Sequence, residues 1–183
     1  KSSDPTATNH YIYSPGSVAM LSTSYSQRGL SLLLQAKRSE NFNFLSARST
    51  VGTPLHINHL PAFTANHTYT LAALYPYATQ PDGEWALQGD IRYTIPRGTL
   101  LGGKYGTGLR VNYAHVRGLQ SVATDQLPLD APEGKLYGTD GYQHPFFGMG
   151  ELYYSDFNFE LSKKFSRTVS MTFEYYHQIY NQQ

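Results

Sequence analysis

Glu84-Trp85-Ala86-Leu87-Gln88-Gly89-Asp90-Ile91-Arg92-Tyr93-Thr94-Ile95 decides the fold. Successive side chains of an extended chain point to opposite faces. Trp85, Leu87, Gly89, Ile91, Tyr93 and Ile95 therefore share one side, and Glu84, Ala86, Gln88, Asp90, Arg92 and Thr94 the other. One face is apolar and the other polar, the mark of a strand between two unlike environments.

The same split recurs outward from this stretch. In Lys104–Val116, Tyr105, Thr107, Leu109, Val111 and Tyr113 oppose Lys104, Gly106, Gly108, Arg110, Asn112 and Ala114. In Thr168–Tyr180, Val169, Met171, Phe173, Tyr175, His177 and Ile179 oppose Ser170, Thr172, Glu174, Tyr176 and Gln178. Phe157, Phe159 and Leu161 oppose Asp156, Asn158, Glu160 and Ser162. Val18–Ser26 and Leu30–Lys37 flank the tight Gln27-Arg28-Gly29 turn and predict a hairpin. Asn66–Tyr75 is a further candidate strand. Val51–Asn58 is a weaker one, because Pro54 cannot donate to a ladder. The stretch 117–149, rich in proline and glycine, reads as one long loop.

Composition narrows the classes. The 183 residues fit one domain and contain no cysteine, which excludes disulfides, Cys-ligated zinc and thiol catalysis. A net charge of +1, with no clustered basic motif, argues against a nucleic-acid partner. Sixteen tyrosines give an aromatic-rich chain that is nonetheless polar on average. No run approaches the ~18 apolar residues of a membrane helix. Barrel strands fit such a composition, because only every second residue faces lipid.

A soluble sandwich produces the same alternation, so other features must choose. Several strands run past the usual ~5–6 residues, toward the ~9–11 that cross a bilayer with tilt. Aromatics collect near strand ends, among them Tyr75, Tyr77, Trp85, Tyr105, Tyr153, Tyr154 and Tyr180, as in interfacial girdles. Counting the weak strand, shorter connections (27–29, 59–65, 96–103, 163–167) alternate with longer ones (38–50, 76–83, 117–149). Short turns on one side and long loops on the other is the outer-membrane pattern, with the short turns periplasmic. By the same parity a strand should precede residue 17, with His10-Tyr11-Ile12-Tyr13 as its remnant, so the chain reads as part of a larger barrel.

Leu60-Pro61-Ala62-Phe63 through His67-Thr68-Tyr69, Leu74-Tyr75-Pro76-Tyr77-Ala78-Thr79-Gln80 and Gly102-Gly103-Lys104-Tyr105-Gly106-Thr107 carry a resemblance. They resemble an uncharacterised family of Bacteroidota outer-membrane proteins, described only as a domain of unknown function. The resemblance spans about residues 15–180. It implies a barrel fold and longer relatives, but no activity and no functional residue. The ending Tyr180-Asn181-Gln182-Gln183 departs from the terminal aromatic of typical barrels.

Candidate chemistry is sparse. His56-Ile57-Asn58-His59 has metal-like spacing, but residues three apart on a strand face opposite ways. His144 beside Pro145-Phe146-Phe147 reads as loop packing, and His177 as an interfacial ring. No Gly-x-Ser-x-Gly elbow supports a serine hydrolase. Asp156, Glu160 and Glu174 could supply glycosidase-type carboxylates, yet salt bridging to Arg92 or Arg110 explains them better. Gly102-Gly103-Lys104-Tyr105-Gly106 resembles a phosphate loop without the helix that would supply its amides. Asn66-His67-Thr68 matches a glycosylation sequon of little weight in a bacterial protein.

The resulting expectation is an all-β antiparallel transmembrane β-barrel of about eight visible strands, part of a larger barrel. The alternative is a soluble β-sandwich or barrel binding glycans through exposed aromatics. Residues 1–16 form an N-terminal segment, 17–180 the barrel region and 181–183 a tail. Asp90, Arg92, Arg110, Glu160 and Glu174 are expected to face a polar lumen. Leu87, Ile91, Leu109, Val111, Phe159 and Phe173 are expected to face lipid. The expected setting is the bacterial outer membrane, with lipid and other outer-membrane subunits as partners. No catalytic residue, cofactor or metal is expected.

Overall fold

In the computed structural model the described residues are 2–3, 11–12, 16–42, 60–65, 76–123 and 142–181. Six long strands form one antiparallel meander: β1 (Ser17–Gln27), β2 (Leu30–Glu40), β3 (Gly83–Ile95), β4 (Thr107–Leu119), β5 (Met149–Lys164) and β6 (Ser170–Tyr180). Each strand pairs with its neighbour in sequence, and β1 and β6 are the two edges. Among the described residues there is no helix.

The all-β antiparallel expectation holds. Two finer points do not. Among the described residues the sheet is open, since β1 and β6 do not pair, and it has six strands rather than eight. The candidate strands Val51–Asn58 and Asn66–Tyr75 lie outside the described residues. Tyr11–Ile12 pairs with Ser2–Ser3 in a separate two-residue ladder and does not join the main sheet.

The long loop also begins and ends elsewhere than the sequence suggests. Residues 117–119 extend β4, and β5 starts at Met149, eight residues before Phe157. Register shifts at Val116/Arg117 and Arg117/Leu119 interrupt the ladder between them. A bulge breaks period-2 alternation locally, which hid this part of β5. A short ladder, Val122–Ala123 with Tyr142–Gln143, lies within the connection.

The strand ends fall into two groups. Arg28-Gly29, 96–106 and 165–169 join strands at one end of the sheet, the short-turn end. Residues 41–82 and 120–148 join them at the other. Gly29 adopts φ 81° in the first hairpin, a left-handed conformation natural for glycine and costly for most residues. Residues 60–65, expected in a short turn, instead lie on one face of the sheet toward the long-connection end, where Phe63 is buried with Tyr77, Ala86, Ala114, Val116 and Tyr154.

Candidate functional site

The register sorts the side chains into rows. One face carries Arg92, Arg110, Glu160 and Glu174 side by side, and in the next row Asp90, Asn112, Asn158 and Tyr176. The five charged residues expected to share a face do share one. The opposite face carries Tyr93, Leu109, Leu161 and Phe173, then Ile91, Val111, Phe159 and Tyr175. Leu87 lies on that same face, opposite Ala36 and His115.

Beside the small apolar core around Phe63, several polar side chains are buried on one face and several large apolar ones exposed on the other. Lys37, Ser39, Glu84, Asn112 and Asp156 on the polar face have no exposed surface. On the apolar face Leu21 is 66% exposed, Leu34 50%, Phe173 52% and Tyr175 50%. Leu87 and Ile91 are also exposed, while Leu109, Val111 and Phe159 are half-buried by their neighbours.

The tightest polar cluster sits on the polar face near the long-connection end. Lys37 Nζ lies 2.8 Å from Glu84 Oε1. It also donates to the Pro61 carbonyl at 2.7 Å and to Thr79 Oγ1 at 2.9 Å. Glu84 Oε2 accepts from the Tyr77 hydroxyl at 2.5 Å and from the Gln80 backbone N–H at 2.9 Å. The ammonium also lies 5.3 Å from the centre of the Phe63 ring. Buried charges need partners on every open valence, and here β2, β3 and the 60–65 and 76–80 segments supply them. Burial, followed by the nearby Glu84 charge, raises the Tyr77 pKa well above the usual tyrosine value. Tyr77 stacks on Tyr154 with ring centres 5.2 Å apart, and Tyr180 meets both edge-on.

Toward the middle of the sheet Asp90 organises a second cluster. Its carboxylate accepts from Arg92 at 2.9 Å, Arg110 at 2.8 Å and Asn112 at 3.1 Å. Arg92 and Arg110 stand directly opposite each other, so this single carboxylate separates two like charges. Glu174 accepts from the Tyr176 hydroxyl. Two carboxylates, Glu160 and Glu174, are cross-strand partners in the same row.

Aromatic rings gather at the long-connection end of the apolar face. Trp85 donates its indole N–H to the Phe146 carbonyl at 3.0 Å, and its ring packs on Phe146 and Phe147. Arg38 reaches the carbonyls of Phe146 and His144 and pairs with Glu40 at 2.7 Å. This anchors the end of the 120–148 connection to β2 and β3.

The described histidines are dispersed. His115 contacts the Tyr113 hydroxyl at 3.2 Å. His144 contacts Ser121 Oγ at 3.4 Å and the Gln120 carbonyl at 3.2 Å, all at the surface. His177 is exposed on the apolar face. His56 and His59, and the sequon at Asn66-His67-Thr68, lie outside the described residues. Lys37, Tyr77 and Thr79 were missed as site residues. Strand parity alone places Lys37 on the polar face, but its partners come from 24 and 42 residues away, which no local period encodes.

No curated protein and no solved structure matches the chain. One family model does, over residues 1–183, and the chain belongs to that family of unknown function, DUF6029.

Proposed function

We propose that the chain forms wall of a bacterial outer-membrane β-barrel, its apolar face against lipid and its polar face toward a lumen. The role is structural, channel-forming or in assembly, with lipid and other outer-membrane subunits as partners and no chemistry of its own. A Bacteroidota origin rests on the resemblance of residues 60–80 and 102–107 alone. The observation that carries the reading is this split in burial between the two faces. Water drives apolar side chains inward and leaves charges outside. Here Leu21, Leu34, Ile91, Phe173 and Tyr175 stand exposed on one face, while Lys37, Glu84 and Asn112 are buried on the other. Lipid reverses that preference, and β-structure crosses a membrane as a closed barrel.

Trp85 is the one tryptophan of the chain and sits at a strand end on the apolar face. This makes it a natural depth probe. The full chain, refolded into phosphatidylcholine vesicles brominated at shallow or deep acyl positions, should show stronger quenching by the shallow bromines. A chain that stays dispersed without detergent, with Trp85 fluorescence unaffected by either lipid, would overturn the proposal. That result would favour the glycan-binding alternative, to which the exposed Phe146 and Phe147 beside Trp85 would contribute.

A further inference from the structure

The short-turn end of the sheet is uniformly cationic. Arg28 lies in the first hairpin turn, Arg97 and Lys104 in the second, and Lys163, Lys164 and Arg167 at the third. No Asp or Glu occurs in 5–39, 91–124 or 161–173, the stretches that contain these turns. The described acidic residues lie away from this end, although the chain as a whole carries 14 basic and 13 acidic side chains. Among the described residues, none of these six side chains makes an ion pair.

The charges are also built into a shape. Lys104 Nζ and Lys164 Nζ lie 5.8 and 5.5 Å from the centre of the same Tyr105 ring, so one ring gathers two ammoniums with no carboxylate between them. Lys163 is committed to the Thr107 hydroxyl at 2.9 Å and to the Leu101 carbonyl, and thereby ties the second turn to the third. Large apolar side chains stand out around this end: Leu100 is 99% exposed, and Leu101, Phe165 and Val169 are exposed as well.

Cations next to exposed apolar groups match a membrane interface, where phosphates meet acyl chains. We propose that the short-turn end is a docking rim for anionic phospholipid headgroups. The inference rests on the membrane reading of the fold and adds to it which rim meets the anionic leaflet. Phosphate oxygens would accept from Arg97, Lys104, Lys164 and Arg167, while Leu100, Leu101 and Phe165 enter the acyl boundary. The headgroup's charge supplies the counter-ion that the acid-free turns lack.

Native mass spectrometry of the full chain in detergent micelles doped with equal phosphatidylcholine and phosphatidylglycerol provides the test. The wild-type chain should retain phosphatidylglycerol in preference. Arg97→Gln/Lys104→Gln/Lys164→Gln/Arg167→Gln alters exposed side chains only, and should lower that preference by about tenfold or more, given ~1 kcal/mol per surface charge. Raised salt should weaken the wild-type preference as well, since exposed charges are screened. Added inorganic phosphate should not displace the lipid, because it lacks the acyl contacts. Equal retention of the two lipids by the wild-type chain, or an undiminished preference in the quadruple variant, would overturn the proposal. Displacement by inorganic phosphate would reassign the cationic cluster to a free anion and overturn the lipid assignment. Failure of the membrane reading looks different, because Trp85 would then show no quenching by brominated phosphatidylcholine at all.

Discussion

Lys37 and Glu84 form an ion pair of 2.8 Å in which neither side chain keeps any exposed surface. Removing one member strands the other charge away from water. Lys37→Met or Glu84→Leu should each destabilise the fold by about 3–5 kcal/mol, whereas the double substitution should recover much of that loss. Denaturant unfolding of the three variants checks this. Additive losses in the double variant would show that the two charges do not act as a pair.

Tyr77 donates to the same carboxylate, and its raised pKa gives the cluster an alkaline limit. A group whose pKa rises on folding contributes stability that is complete below its unfolded pKa and is lost as pH climbs through the folded one. The unfolded value is that of an ordinary tyrosine, 10.0. The stability advantage of the wild-type chain over Tyr77→Phe should therefore be constant through neutral pH and shrink above about pH 10. Melting both proteins across that range measures it. An advantage that grows with pH would contradict the assignment.

Asp90 holds apart two arginines that face each other across β3 and β4. Asp90→Asn should cost about 1–3 kcal/mol, because like charges directly opposite repel and a nearly buried acceptor loses its charge. Arg92→Gln should cost no more than ~1 kcal/mol, since the Arg92 side chain is 62% exposed and its pair is screened by solvent. Chemical unfolding ranks the two. A larger effect for Arg92 would mean that Asp90 does not organise the cluster.

Val111 lies mid-strand on the apolar face, between Ile91 and Phe159. Val111→Arg should cost about 2–4 kcal/mol if that position meets the centre of a bilayer. A surface in water would tolerate the same change within about 0.5 kcal/mol. The folded fraction in vesicles under a urea gradient separates the two values.

The sheet was legible where two conditions coincided: strict alternation and a short connection. Glu84–Ile95 was read within one residue of β3, and the Gln27-Arg28-Gly29 turn marked β1 and β2. Met149–Tyr154 was illegible because the shifts near Arg117 let the strand change register, so Leu152 falls out of phase with Phe157 and Phe159. Strand parity put Asp90, Arg92, Arg110, Glu160 and Glu174 on a common side without any knowledge of pairing. The cluster around Lys37 was hidden for a different reason. It is assembled by chain reversal, as 60–65 and 76–80 return across the face of β2 and β3, and the sequence carries no mark of that path.

The two border strands of the described sheet set an arithmetic on any further assembly. β1 runs from the long-connection end to the short-turn end and β6 runs back, so the two borders of the sheet have opposite polarity. Joined directly, or through any even number of alternating strands, they meet in an antiparallel seam. An odd insertion would force one parallel seam, whose hydrogen bonds slant and whose pairing is slightly weaker per residue. The direction of two border strands thus restricts which complements can seal this wall, irrespective of the molecule that supplies them.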